Sequence, residues 1–173
     1  MHFPLHPDTP AEGRSLEELF RGRNIDVPAA HTRLHALMDA EGLPYGPRTH
    51  TYNTRLAQEV AKWAETTPGG EAVHDALFKA YFADGRNIGD SGVLVDVARS
   101  VGLPTGEAAD TLRERRYRKG VDADWAKSRE YGVTGVPTFV SGGQGVVGAQ
   151  PYETLVQFLR QRKATPRTER DPG

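Results

Sequence analysis

The chain has 173 residues, 37% hydrophobic and 26% charged, which is one ordinary domain able to bury a core and is neither a membrane nor a disordered composition. Lys plus Arg number 22 and Asp plus Glu 23, a net charge of −1 that excludes general nucleic-acid binding through a basic surface. Cysteine is absent, which excludes a disulfide scaffold, a thiolate zinc site and a cysteine nucleophile supplied by these residues.

In chain order, residues 3–10 read as an extended segment breaking into a turn, because Pro4, Pro7 and Pro10 disfavour helix. Ser15-Leu16-Glu17-Glu18 has the capping-box pattern and predicts a short helix to about residue 20. A longer helix is expected over 29–40, with Leu34, Leu37 and Met38 on one face and Gly42 just past its end. Leu56, Val60 and Trp63 mark the next helical face, with Asn53 or Thr54 as N-cap. Val73, Leu77, Phe78, Tyr81 and Phe82 form the richest apolar face, ended by Gly85. Leu94, Val97, Ala98 and Val101 follow behind Asp90 or Ser91, and two charged helices are expected over 106–119 and 122–131.

At Gly132 the pattern changes. Residues 136–140 have the β-branched content of a strand, Ser141-Gly142-Gly143 a turn, and 144–147 a second strand, so a hairpin is predicted. Gln150-Pro151 opens a last helix with Tyr152, Leu155, Val156 and Leu159 on its face, and the tail 164–173 is expected to fray. The order of one strand end, six or seven helices, a hairpin and a helix predicts an α/β domain carrying an all-helical insertion.

Gly132-Val133-Thr134-Gly135-Val136-Pro137-Thr138-Phe139-Val140, followed by Gly148-Ala149-Gln150-Pro151, resembles the C-terminal half of a thioredoxin-fold domain of the DsbA family. Phe3 to Pro10, Asn53-Thr54, Ala76 to Phe82 and Gly85 to Asp90 agree in order, and the resemblance is to the FrnE-like branch, near hydroxychromene-carboxylate isomerases and kappa-class glutathione transferases. It implies a thioredoxin-like fold, incomplete at the N-terminus. Residues 1–50 would be a remnant strand and connecting helices, 51–120 the helical insertion, 121–163 the hairpin and last helix, and 164–173 a tail.

The resemblance also implies that Val136-Pro137 is a cis bond beside the active site, although a bare X-Pro bond favours trans. The preceding backbone groups would then face a substrate chain. The family's Cys-x-x-Cys turn, or its serine variant, precedes the Phe-x-Leu-x-Pro segment, which here starts at Phe3. No position holds the family's nucleophile or its central first strand, so no catalytic residue is assigned. Either the natural protein carries that unit upstream, or the short chain is real and the sheet's open groove is filled by another chain or left marginal. The first is favoured because each unpaired inner backbone group costs about 1 to 3 kcal/mol when buried.

Substrate-binding candidates are Val136, Pro137, Asn53, Thr54, Ala149 and Gln150. In the glutathione-using relatives, Asn-Thr faces the cleft, while for Asn53 an ordinary helix cap is the plainer reading. Ala149-Gln150 does not reproduce the Ser-Asp pair that kappa-class relatives use for glutathione. No cofactor is therefore expected, with glutathione as the alternative ligand. His31, His35 and Asp39 share a helix face that reads as solvated rather than metal-binding, and no metal is assigned. Arg113, Arg115, Arg116, Arg118 and Lys119 read as a solvated basic face. Trp63 and Trp125 read as core.

The resemblance implies a thiol-disulfide oxidoreductase acting on a disulfide- or thiol-containing substrate, shown here without its redox cysteines. The alternatives are an inactive thioredoxin-like binding module or homo-oligomer, and a glutathione-dependent isomerase. Neither a nucleic acid nor a membrane is expected as partner. The opening Met1 to Pro7 has no basic region followed by an apolar stretch, which predicts a cytoplasmic setting.

Overall fold

The structure is a computed structural model that describes residues 1–165. The expected fraying of 164–173 therefore lies almost wholly outside the described residues.

The anticipated strand at Phe3–Leu5 is not formed; residues 3–10 turn repeatedly, with Leu5 N donating to the Phe3 carbonyl and Thr9 N to the His6 carbonyl. The first sheet lies further on. β1 (Arg14–Ser15) runs antiparallel to β2 (His50–Thr51), two residues each and too short for an alternating pattern. The capping box is present: Ser15 Oγ accepts from Glu18 N at 3.0 Å, and α1 (Leu16–Leu19) follows. α2 (Val27–Ala40) starts two residues earlier than the spacing predicts, because Asp26 caps it and Pro28 suits its first turn. Its expected apolar face is not covered: α2 buries no residue, and Leu37 is 54% exposed.

The core is helical. α3 (Arg55–Ala64) packs against α4 (Ala72–Phe78), α5 (Ser91–Ser100), α6 (Thr105–Glu114) and α7 (Arg118–Glu130). Val60, Ala64, Val73, Leu94, Ala98 and Ala108 are wholly enclosed. Trp63 belongs to this core, whereas Trp125 lies at its edge, donating Nε1 to Gln58 Oε1 at 2.7 Å.

Two departures from the expected helices have local causes. Lys79–Ala83 form a π-helical turn rather than continuing α4, which rotates the face: Tyr81 is buried while Phe78 is 62% exposed. The expected helix over 106–119 ends at Glu114. Arg115 adopts the left-handed conformation (φ 54°, ψ 38°) and closes α6, and α7 begins four residues ahead of the expected 122. Gly106 and Gly120 both lie inside helices and neither marks the break.

The C-terminal hairpin has β3 (Thr138–Ser141) antiparallel to β4 (Gln144–Val147), with Phe139 opposite Val146 and Val140 opposite Gly145. Gly142 and Gly143 both take positive φ (56° and 73°), the backbone that a two-residue hairpin loop requires. α8 (Tyr152–Gln161) follows, but its buried side chain is Phe158; Tyr152 and Leu159 of the expected face are exposed. The described strands form two separate two-stranded sheets. No described helix is long and apolar enough to cross a membrane.

Candidate functional site

Two groups of the expected residues emerge, at different places. The first is the hairpin mouth. The Val136–Pro137 bond is cis, and Val136 is 51% exposed. Pro137 presents its carbonyl to Gly148 N at 2.8 Å, and Thr138 Oγ1 donates to the Gly135 carbonyl at 2.6 Å. These bonds bring Val136 and Pro137 beside the turn carrying Ala149 and Gln150, where Gln150 Nε2 donates to the Val147 carbonyl at 2.8 Å. Ala149 is exposed and Gln150 half-buried.

The hairpin itself is unusual in its exposure. Phe139 points to one face of the ribbon and Val140 and Val147 to the other, since successive residues alternate and Val147 lies opposite Thr138. All three are exposed, Val147 at 52%. Apolar side chains on both faces are the pattern of a strand buried on two sides.

Asn53 and Thr54 form the second group, and no described hydrogen bond joins them to the hairpin mouth. Asn53 Nδ2 donates to the Pro7 and Thr9 carbonyls at 2.9 and 3.0 Å, and Oδ1 accepts from Arg55 N at 2.9 Å. Its amide thus fastens the opening turn to α3. Thr54 is the N-cap residue of α3 but makes no side-chain cap bond, and its hydroxyl accepts from Gln58 Nε2 at 3.2 Å.

Next to Asn53 lies an ion cluster absent from the sequence reading. Glu59 is on the buried side of α3 with 0% of its surface exposed. Arg55 Nε donates to Oε1 at 2.8 Å, Arg115 Nη2 to Oε1 at 2.7 Å and Arg115 Nε to Oε2 at 2.8 Å. Burial pushes the Glu59 carboxyl up, but the guanidinium hydrogen bonds of Arg115 and then Arg55 outweigh it and leave its pKa lowered. Arg55 also donates Nη2 to Asp122 at 2.6 Å and lies over the Trp125 ring, 4.6 Å from its centroid. Arg115, read as part of a solvated face, is exposed as expected but also supplies the charge that the buried Glu59 carboxylate needs. Its neighbours Arg113 and Arg116 also lie on the surface, paired with Asp110 and Glu114 at 2.7 Å each. The signal was present: a glutamate on the same helix face as Leu56 and Trp63 demands a cation.

His35 Nδ1 lies 2.8 Å from Asp39, and His31 Nε2 donates to the Gly46 carbonyl at 3.2 Å. Among the described residues, no group of three or more His, Asp or Glu is placed to hold a metal.

Residues 1–160 match the DsbA-like thioredoxin domain. The chain belongs to that family. A probable DsbA oxidoreductase from Streptomyces coelicolor is 30% identical to this DsbA-like chain, with a TM-score of 0.82 over 98% of it and 77% of that structure. A structure from Nitrosomonas europaea, described as a candidate protein disulfide isomerase, shares the fold (TM-score 0.61, 16% identity, 93% of this chain and 76% of that one). The Bacillus subtilis protein YwbO is 33% identical over 119 residues, covering 66% of this chain and 58% of that protein's length.

Proposed function

We propose that this DsbA-like chain is the substrate-positioning part of a thiol-disulfide oxidoreductase of the FrnE-like branch. Its dithiol and its central strand would be supplied by a strand-helix unit upstream of Phe3. The observation that carries the reading is the hairpin, whose apolar side chains are exposed on both faces in the pattern of a strand buried on two sides. A strand entering beside the hairpin would pair with the free edge of β3, and the exposed face of α2 would offer Leu34 and Leu37 to its helix.

In that assembly, one thiolate of the upstream dithiol attacks a substrate disulfide, forming a mixed disulfide and releasing one substrate thiolate. The second thiol then displaces the other substrate sulfur, so the substrate gains two electrons and the dithiol becomes a disulfide. Val136, Pro137, Ala149 and Gln150 would line the substrate's path, with Val136 offering its backbone to an extended segment.

The test is the protein purified from its own cells, denatured and alkylated. Two alkylatable thiols and catalysed insulin reduction support the reading. A protein without thiols overturns it.

A second reading rests on the same exposed ribbon: a binding module whose β3 edge pairs with another chain, including a second copy. Light scattering decides that version. A dimer that Phe139→Lys converts to monomer favours it, and a wild-type monomer with a cooperative melt rejects it. A glutathione-dependent isomerase would need an upstream serine and measurable glutathione affinity.

A further inference from the structure

The cavity beside Asn53 plays no part in the function proposed above. It has a volume of about 290 Å³, and its walls include Thr9, Ala11, Arg55, Leu56, Gly89 and Arg115. Arg55 and Arg115 line it and no Asp or Glu does. The two carboxylates that pair with them lie outside the lining: Asp122, and Glu59, which is enclosed in the body of the protein. Glu59 takes Nε of Arg55 and both Nε and Nη2 of Arg115, and Asp122 and the Arg118 carbonyl take Nη2 of Arg55. Nη1 of each arginine is left without a bond among the described residues.

Both guanidiniums are held in place before any ligand arrives. Arg55 is fixed between Glu59, Asp122 and the Trp125 ring. Arg115 is fixed by two bonds to Glu59, from a residue kept in the left-handed region. Groups ordered in advance lose little rotamer freedom on binding. The larger groove between α5 and α6, about 370 Å³, differs in this respect. Asp96 lines it and pairs with Arg99, so it presents both signs of charge.

We propose that the cavity beside Asn53 binds a small carboxylic acid. Its carboxylate would lie on Nη1 of Arg55 and of Arg115, and its aliphatic part against Ala11 and Leu56. Planar guanidinium edges match a carboxylate, and the apolar share of the wall favours a group with a hydrocarbon part over a bare inorganic anion. The site does not depend on the oxidoreductase reading.

The experiment titrates succinate into the 173-residue chain, read by NMR at the Arg Nε–H signals and the amides of Ala11, Leu56 and Gly89. The expected result is saturable shifts confined to these groups and to the Trp125 indole. Ala11 is exposed, so Ala11→Asp adds a negative charge to the wall without entering the core; it should weaken binding about ten-fold or more. In the wild-type chain succinamide, the neutral analogue, should not bind. The proposal is overturned if the shifts fail to saturate, if Ala11→Asp binds as well as the wild type, or if succinamide or inorganic phosphate matches succinate at equal ionic strength.

Discussion

Arg115 closes both carboxylate oxygens of Glu59 from a position 56 residues along the chain, Nε to Oε2 and Nη2 to Oε1. The contact joins the end of α6 to the centre of α3 and explains why a non-glycine residue sits at φ 54° there. A left-handed residue with a side chain costs about 1 to 2 kcal/mol. Two charge-assisted hydrogen bonds to an enclosed carboxylate offset that cost, since such bonds are worth about 1.5 to 3 kcal/mol each.

Removing Arg115 should therefore be costly. Arg115→Met leaves Glu59 with one guanidinium in an enclosed site, and a loss of about 3 kcal/mol is expected in urea unfolding. The double variant Glu59→Met/Arg115→Met should cost less than Arg115→Met alone, because no unpaired charge remains. Additive losses in this cycle would show that the two residues do not act as a pair.

Glu59 also sets a pH dependence. Its pKa in the folded chain is lowered from 4.5, so its contribution is fully present above about that value and is lost as pH falls through the folded pKa. Between pH 5 and 3, the wild type should lose stability more steeply than Glu59→Gln, which cannot titrate. Equal slopes in thermal melts across this range would contradict the assignment.

His2 acts at higher pH. Its Nε2 is buried without a partner, and burial is the main cause that lowers its pKa from 6.5, against the pull of Asp124. The neutral ring is the folded form, so stability is complete above pH 6.5 and falls as pH drops through the lowered value. His2→Phe should remove that slope between pH 7 and 5, as read by melting temperature.

Two glycines test the packing in opposite directions. A Cβ at Gly46 would fall 2.0 Å from the Ala83 carbonyl oxygen, where Gly46 N bonds the Phe82 carbonyl at the end of the π turn. Gly46→Ala should cost about 1 to 3 kcal/mol. Gly120 lies inside α7 with open space around it, and Gly120→Ala should stabilise by about 0.5 to 1 kcal/mol. Denaturant midpoints for the two variants should move apart from the wild type.

The sequence showed features that act locally. Ser15 with Glu18, Asp90 ahead of α5, and the Gly142-Gly143 turn each carry their own signal within four residues, and each is realised. The features it hid depend on distant partners. β1 and β2 are two residues long and exist only because residue 14 meets residue 51. The break at Arg115 has no glycine to announce it; it follows from the need of Glu59 for a cation. Phe158, rather than Tyr152 or Leu159, faces inward on α8. The hairpin mouth was legible because its motif is short and continuous, whereas the cavity wall joins residues from 9 to 115.

The proposed completion of this chain by an upstream unit carrying the dithiol is decided by the intact mass of the protein from its own cells. The expected result is a species heavier than 19.0 kDa by roughly 4 to 6 kDa, the size of a strand-helix unit, with two cysteines in the added segment. A mass of 19.0 kDa would contradict it and leave the exposed hairpin as a surface for another chain.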